Sequence, residues 1–400
     1  MKHRIVVLGA GYAGICTAGK LARRLSPAET GITVVNAGPE FVQRLRLHQV
    51  AAGQRVAAPR LADLFAGTGV RLRLGRVTGV DLGRRTVTVA DADGGGELGY
   101  DTLVHALGSH VDDRGVPGVD EHAFHVTGLP AALRLRDRLA HLDGRGEGGE
   151  VVVVGDGLTG IETATEIAEA RPGLSVTLIA RGELGARLSP GARAHLRRAC
   201  ERLGVTVLEH TTVEAVEAAR VLCADGTALA SDATVWTAGF AVPSLAAAAG
   251  LEVTGDGRIA VDRTMRSVSH PDVYAVGDSA YAVGDNGLAL PMSCATAGAT
   301  SQQAAHAIVG RLTGRPIADA KLAYVGNHIS LGRRYAIAQT VDAAGRPRPK
   351  YLGGRTAVRV KAVILRGSLW AIEHPAFGLP RRRHRLTATP GGPFTETAVA

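Results

Sequence analysis

Glycines 9, 11 and 14, in RIVVLGAGYAG (residues 4–14), follow directly on a short apolar run, Ile5 to Leu8. A strand that turns this sharply into a helix needs Gly9 for its dihedral angles, Gly11 so that backbone can approach a pyrophosphate, and Gly14 so that helix packs on strand. Peptide N–H groups at such a helix start face an anion, and the helix dipole adds to the attraction. The same grammar recurs in EVVVVGDGLTGIE (residues 150–162), where Val151 to Val154 lead into Gly155, Gly157 and Gly160. Glycine is abundant, at 52 of 400 residues, so one match alone is weak. Two copies a domain apart imply two mononucleotide-binding units facing each other, and hence two bound dinucleotides.

A site of this kind places a carboxylate about twenty residues past its last glycine, where it accepts bonds from the adenosine ribose. At the first site that position is Asn36, at the end of the β-run Ile32 to Val35; an amide bonds a hydroxyl less strongly. At the second, Val176 to Ile179 lead to Ala180 and Arg181. A carboxylate would repel a 2′-phosphate there, whereas alanine beside a guanidinium admits one. NADPH is therefore expected over NADH, unless Glu183 turns inward to bind ribose.

Further chemistry-bearing residues lie in FVQRLRLHQVAAG (residues 41–53). Arg44 and Arg46 can serve an anionic or carbonyl substrate, or form a polar helix face. His48 is the acid/base candidate because imidazole titrates near neutrality, a hydrogen-bonded structural histidine being the alternative. Glu162 and Glu166 fall one turn apart on the helix after the second glycine motif. DVYAVGDSA (residues 272–280) reads as a strand ending in Gly277 and Asp278, a carboxylate placed to accept bonds from a polyol. YDTLVHALGS (residues 100–109) carries Ala106 and Gly108 to a chain crossing against a bound ligand. VWTAGF (residues 235–240) repeats that crossing with Gly239, in keeping with a duplicated domain plan. Cys294 to Val309 reads as an alanine-rich helix with Ala295 in its first turn and Gln302 and Gln303 further along. If its N-terminus points at a flavin ring, its N–H groups stabilise negative charge there.

The elements that must position these residues read as follows. Gly69 to Val89 alternates polar and apolar residues as a β-meander that ends in the turn Asp91 to Gly96. Val116, Pro117 and Gly118 mark a crossover between domains. Val205 to Leu208, Val221 to Cys223 and Thr234 to Trp236 read as strands. From about Leu322 the pattern changes to two or three strands and a run, Thr356 to Leu365, whose period fits strand or helix. Leu379 to Ala400 reads as a loose end.

A hydrophobic fraction of 46% with 21% charged residues describes an ordinary soluble protein with room for two or three domains. No apolar window reaches the about eighteen residues of a membrane span, and the first strand begins too soon for a signal peptide, so cytoplasmic location is the default. Cys16, Cys200, Cys223 and Cys294 are scattered, which argues against a disulfide framework, a metal site or a dithiol centre; Cys16 reads as a packed side chain. The net charge of +9 includes the run Arg381, Arg382, Arg383, His384, Arg385, read as a solvated tail. Without a helix-turn-helix, RNP or zinc-finger pattern, nucleic acid is not an expected partner.

With these motifs in this order, the chain resembles the two-dinucleotide-binding-domain flavoproteins of the pyridine nucleotide-disulfide oxidoreductase superfamily. Lacking a redox cysteine pair, it is similar to the type II NADH dehydrogenase and apoptosis-inducing-factor-like branch, over residues 3 to 310. The resemblance implies an α/β fold: two Rossmann-like, three-layer FAD- and NAD(P)-binding domains plus a small α+β C-terminal domain. Residues 1–118 and 244–320 would form the FAD domain, 119–243 the NAD(P) domain, and 321–400 an interface domain with a basic tail. Gly9, Gly11, Ala13 and Gly14 would hold the FAD pyrophosphate, with Asn36, Ala106, Gly108, Gly277, Asp278 and Ala295 on the same cofactor. Gly155, Gly157, Gly160, Arg181 and Gly239 would hold NAD(P)H, with Glu162 near the nicotinamide. Hydride would pass from NAD(P)H to FAD and on to a quinone-like or other conjugated small molecule, with Arg44, Arg46 and His48 on the substrate side and no metal. Where type II enzymes carry a glutamine facing the quinone, this chain has Ala295, Thr296, Ala297 and Gly298. A membrane-surface NADH:quinone reductase anchored by the basic tail and Trp370, and a flavin redox sensor, are the alternative readings. The C-terminal strands could pair two subunits.

Overall fold

Residues 5–8 are apolar on both faces because each face is covered, as a parallel strand between two layers requires. Ile5 and Val7 enter one core cluster and Val6 and Leu8 another. The computed structural model describes residues 1–92, 94–144, 148–317, 319–375 and 383–387. In it, strand His3–Leu8 is central to a five-stranded sheet whose other members, in order across it, are Val273–Ala275 and Thr102–His105 on one side and Thr30–Asn36 and Val70–Leu74 on the other. Every neighbouring pair is parallel. One side is covered by helices Tyr12–Arg24 and Cys294–Thr313, the other by an antiparallel sheet of Arg76–Asp81, Thr86–Ala90 and Gly96–Gly99.

The plan repeats around the second glycine motif. Strand Gly149–Val154 is the middle of a parallel five-stranded sheet with Leu174–Ile179 and Val205–Leu208 on one side and Ala233–Trp236 and Ala123–Phe124 on the other. Helices Leu129–Gly144, Leu158–Ala170 and Pro190–Arg202 cover one face, and the antiparallel strands Val213–Val216, Arg220–Cys223 and Ala228–Ala230 cover the other.

Two sequence expectations change. Val70–Leu74 does not open the meander; it pairs parallel to Thr30–Asn36 as the sheet edge. Gly75, at φ 154°, then separates it from the true meander, a break that alternation alone does not reveal. Asp91 to Gly96 leads into a third meander strand instead of ending it. The loose end is also tied where it is described: His384 exchanges backbone bonds with Arg24 and Ser26, Leu386 N–H donates to the Glu29 carboxylate at 2.7 Å, and Thr387 N–H donates to Leu312. Arg381 and Arg382 lie outside the described residues.

The C-terminal unit is a hairpin, Gly326–Leu331 with Tyr335–Thr340, extended by Leu352–Gly353 and followed by helix Gly354–Glu373. The ambiguous run Thr356 to Leu365 is thus helical. Ile329, Leu331 and Ile337 pack into the same core as helix Leu158–Ala170, so the hairpin lies against the second nucleotide unit. Among the described residues no helix is long and apolar enough to cross a membrane.

Candidate functional site

The three glycines of each motif divide into two kinds. Gly9 has φ 97°, and a Cβ there would stand 2.5 Å from the Ala106 carbonyl oxygen; a Cβ on Gly14 would fall on the Gly9 carbonyl. Nothing lies within 4 Å of where a Gly11 Cβ would be. The second copy behaves alike. Gly155 has φ 117° and lies against Thr237, Gly160 packs on the Gly155 carbonyl, and the Gly157 side is open. Gly11 and Gly157 are the N-caps of helices Tyr12–Arg24 and Leu158–Ala170, and neither helix has a side-chain cap. First-turn N–H groups therefore face an open cradle, the arrangement that binds phosphate.

Around the first cradle, Gly277 (φ 64°) approaches helix Tyr12–Arg24 so closely that a Cβ would stand 2.9 Å from that of Ala13 and 3.9 Å from that of Ala297. Its N–H donates to Thr300 Oγ1 at 3.0 Å. Asp278 accepts a bond from Ser109 Oγ at 2.7 Å, and Gly108 (φ 70°) donates its N–H to Ser279 Oγ at 3.2 Å. Ala295 and Gly298 are exposed at the start of helix Cys294–Thr313, which leaves open space there. Burial, and then the charge of Asp278, push the Cys294 thiol up to about 12, so it stays protonated. Asn36 uses both ends of its amide within the chain: Oδ1 accepts from Ala10 N–H at 2.9 Å and Nδ2 donates to the Gly38 carbonyl at 2.8 Å. It braces the glycine turn.

Arg44, Arg46 and His48 do not converge. Arg44 turns to Ser109 and Asp278, and Arg46 donates to Gln49 Oε1 at 2.7 Å. His48 is 3% exposed on the short helix Leu47–Ala51, and its Nε2 has no hydrogen-bond partner. Burial carries its imidazole below the usual range, against the pull of Glu162 and Glu166, and so favours the neutral ring.

Glu162 is buried on helix Leu158–Ala170, where it accepts from Lys361 Nζ at 2.8 Å and Ser330 N–H at 2.9 Å; Lys361 also donates to the His328 carbonyl at 2.7 Å. Burial alone would raise this carboxyl, but Lys361, His48 and the two hydrogen bonds outweigh it and hold it below the usual range. One turn on, Glu166 accepts from Gln54 and, at 3.1 Å, from Arg333, while its Oε2 has no partner. Sequence reasoning misses Lys361, whose only signal is one lysine inside an apolar run. At the far end of the second site, Arg181 is exposed after the buried Ala180. Glu183 does not turn inward, being held by Arg193 and, at 3.6 Å, by Arg197. The Arg114 guanidinium covers Gly239 and pairs with Asp112 at 3.1 Å. The four cysteines are free, and among the described residues no group of acidic, histidine and cysteine side chains is arranged to hold a metal.

Twin parallel sheets, each ending in an uncapped glycine cradle, define a protein with two nucleotide-binding units. The family model of the pyridine nucleotide-disulphide oxidoreductases matches residues 3–307, and the chain belongs to that family of oxidoreductases. It is 31% identical over 357 residues to an NADH dehydrogenase-like protein of Mycobacterium tuberculosis, with 84% of this chain and 87% of the relative covered. It is 26% identical over 348 residues to the demethylphylloquinone reductase of Synechocystis, covering 84% and 86%. Among solved structures, an NDH2 from Plasmodium falciparum in complex with NADH shares the fold at a TM-score of 0.78 and 15% identity, over 96% of this chain and 100% of that one.

Proposed function

We propose that this protein oxidises NAD(P)H and passes the electrons to a quinone-like or other conjugated small molecule through FAD held in the first cradle. The observation that carries the reading is the pair of open middle glycines, Gly11 and Gly157, each at the start of an uncapped helix. The residues of the first site fit FAD: an open phosphate cradle, the Asp278 carboxylate beyond it, and the open space beside Gly298 in the first turns of helix Cys294–Thr313. FAD, when bound, supplies the capacity to take a hydride from a nicotinamide and return two electrons to an acceptor. The chain's own part is to hold and orient. Gly9 and Gly14 set the turn, Gly11 leaves room for the pyrophosphate, and Gly155, Gly157 and Gly160 do the same for the nicotinamide dinucleotide. Glu162, kept ionised by Lys361, is a fixed negative charge at the second unit. Ala180 and Arg181, with Glu183 engaged elsewhere, support NADPH over NADH. The kinship to a demethylphylloquinone reductase supports the acceptor class, and that to an NADH dehydrogenase-like protein supports a nicotinamide donor.

The test is anaerobic. Purified protein should be yellow, bleach on addition of NADPH faster than with NADH, and recover its colour with a water-soluble quinone. A sample that is colourless and stays so after FAD is added overturns the reading.

A second reading concerns where the enzyme works. Helix Gly354–Glu373 exposes Val363 and Trp370, seven residues apart on one face, at 67% and 43%, with Arg359 and Arg366 exposed nearby. That supports contact between a cytoplasmic enzyme and an anionic membrane surface. Co-sedimentation with anionic vesicles that disappears in Trp370→Ser would bear this out; no sedimentation by the wild type would refute it.

A further inference from the structure

Arg44 lies at the start of a one-turn 3-10 helix, Arg44–Arg46, beyond the second strand of the first sheet. Its side chain is three-quarters buried. Nη1 donates to the Ser109 carbonyl at 3.0 Å and Nη2 to Ser109 Oγ at 3.2 Å; the same Oγ donates onward to Asp278 Oδ2 at 2.7 Å. Nη1 also stands 3.6 Å from that carboxylate, whose side chain is 16% exposed. The guanidinium carbon also lies 5.8 Å from the ring centre of Phe240.

Those contacts come from separate parts of the chain. Ser109 follows the crossing at Gly108, and Phe240 follows the crossing at Gly239. Just past them the chain segments pair antiparallel, Val111 with Phe240 and His110 with Ala241. One side chain therefore ties together the exit from the first sheet, the return from the second, and the strand end that carries Asp278. Two N–H groups of this arginine are thus committed to Ser109, and its charge faces Asp278.

We propose that Arg44 is a flavin-positioning residue: through Ser109 it fixes the Asp278 carboxylate in the orientation that receives the cofactor's polyol, and it supplies the positive charge that offsets Asp278 beside a diphosphate. The inference rests on the reading that the first cradle holds FAD. Two physical reasons support it. A carboxylate that is free to rotate loses conformational entropy on binding, and one already bonded by a hydroxyl and flanked by a guanidinium does not. A lone carboxylate near a phosphate-bearing ligand also repels it, and the fork of an arginine, unlike a lysine ammonium, can neutralise that charge while holding Ser109 at two atoms.

The experiment strips FAD from the wild type and from Arg44→Ala, Arg44→Lys and Ser109→Ala. It measures FAD binding by quenching of flavin fluorescence, and the melting temperature of each protein with and without FAD. Arg44→Ala is expected to raise the FAD Kd by about ten- to a hundredfold, the worth of charge-assisted hydrogen bonds in a partly buried site. Arg44→Lys, which keeps the charge and loses the fork, should fall between alanine and wild type, and Ser109→Ala should weaken FAD binding in the same direction. The stripped variants should melt lower than wild type by the cost of the lost ties, and the rise caused by FAD should be reduced in addition. An FAD Kd in Arg44→Ala within about twofold of wild type, below the smallest such bond, overturns the proposal. So does an equal loss of melting temperature in stripped and loaded protein at unchanged Kd, which would make Arg44 a structural tie. If the alanine variant does not fold, Arg44→Gln is judged by the same criterion. Failure of the wild type to bind FAD would sink the cofactor reading together with this one, whereas wild-type binding with indifferent variants sinks this one alone.

Discussion

Lys361 Nζ stands 2.8 Å from the Glu162 carboxylate, joining a helix of the C-terminal unit to the second glycine helix across 199 residues of chain. Both side chains are nearly buried, at 12% and 10% exposure. Removing one partner of such a pair leaves the other charge uncompensated, at a cost of about 3–5 kcal/mol. Lys361→Met is therefore expected to destabilise the protein on that scale in urea unfolding, and Lys361→Met with Glu162→Gln to recover most of the loss. Glu162 titrates below the ordinary carboxyl value of 4.5, so its contribution is complete above that value and is lost as pH falls through the lower folded one. A stability difference between wild type and the double variant that does not change as pH falls below 4.5 would contradict this.

His105 makes the opposite case, a polar group with nothing to bond. It sits in strand Thr102–His105, 2% exposed between its register neighbours Leu8 and Ala275, and neither ring nitrogen has a partner. Burial lowers its imidazole to about 4. Because the folded value lies below the unfolded one, stability is complete above pH 6.5 and falls as pH drops from there toward 4. Each tenfold loss of proton affinity on folding is worth about 1.4 kcal/mol, which puts the full loss on the order of 3 kcal/mol. His105→Leu should gain roughly 1–3 kcal/mol at pH 7, the desolvation cost of the unpaired group, and should remove that acid dependence. Unfolding curves for both proteins at neutral pH and again in mild acid, between the folded and unfolded values, decide it.

These two residues also mark what the sequence could and could not show. The cradles were legible because only glycine meets the dihedral angles of Gly9 and Gly155 and the close approach of Gly14 and Gly160, so backbone geometry is written into residue type. Gly277, at φ 64° and close against Ala13, was legible for the same reason. Arg44, Arg46 and His48 were not, because alternate positions in one short stretch look like a single face. The break between the 3-10 turn Arg44–Arg46 and helix Leu47–Ala51 instead sends them to Asp278, to Gln49 and into the core. Lys361 was invisible because its partner comes from a distant motif. Prolines and glycines make the tail read as loose, whereas among its described residues His384 and Thr387 are tied by backbone bonds to Arg24, Ser26 and Leu312.

Arg181 tests the nucleotide preference. Exposed at the end of strand Leu174–Ile179, it is the cation nearest in sequence to where a 2′-phosphate would sit, and the nearby carboxylate, Glu183, is held by two other arginines. Arg181→Glu should raise the KM for NADPH by about tenfold or more, the worth of one charge-assisted contact, and leave that for NADH within a factor of about two. Equal effects on both nucleotides would place Arg181 away from the phosphate.

The glycines themselves separate packing from binding. Gly11 and Gly157 have φ of −80° and −68°, conformations open to any residue, and the space beside each is empty. Gly14 and Gly160 have no such space, since a methyl would meet the carbonyl of the first glycine in its own motif. Alanine at 14 or 160 must therefore push helix from strand, and overpacking of this kind costs about 1–3 kcal/mol or more. Alanine at 11 or 157 should fold with an unchanged melting temperature in the absence of ligand. Its methyl group instead enters the cradle, so Gly11→Ala should weaken FAD and leave the nicotinamide dinucleotide bound as before, while Gly157→Ala does the reverse. Measuring the two affinities and the ligand-free melting temperature for all four variants gives a crossed pattern. A uniform loss of stability across the four would mean that the open spaces at Gly11 and Gly157 are not where nucleotides bind.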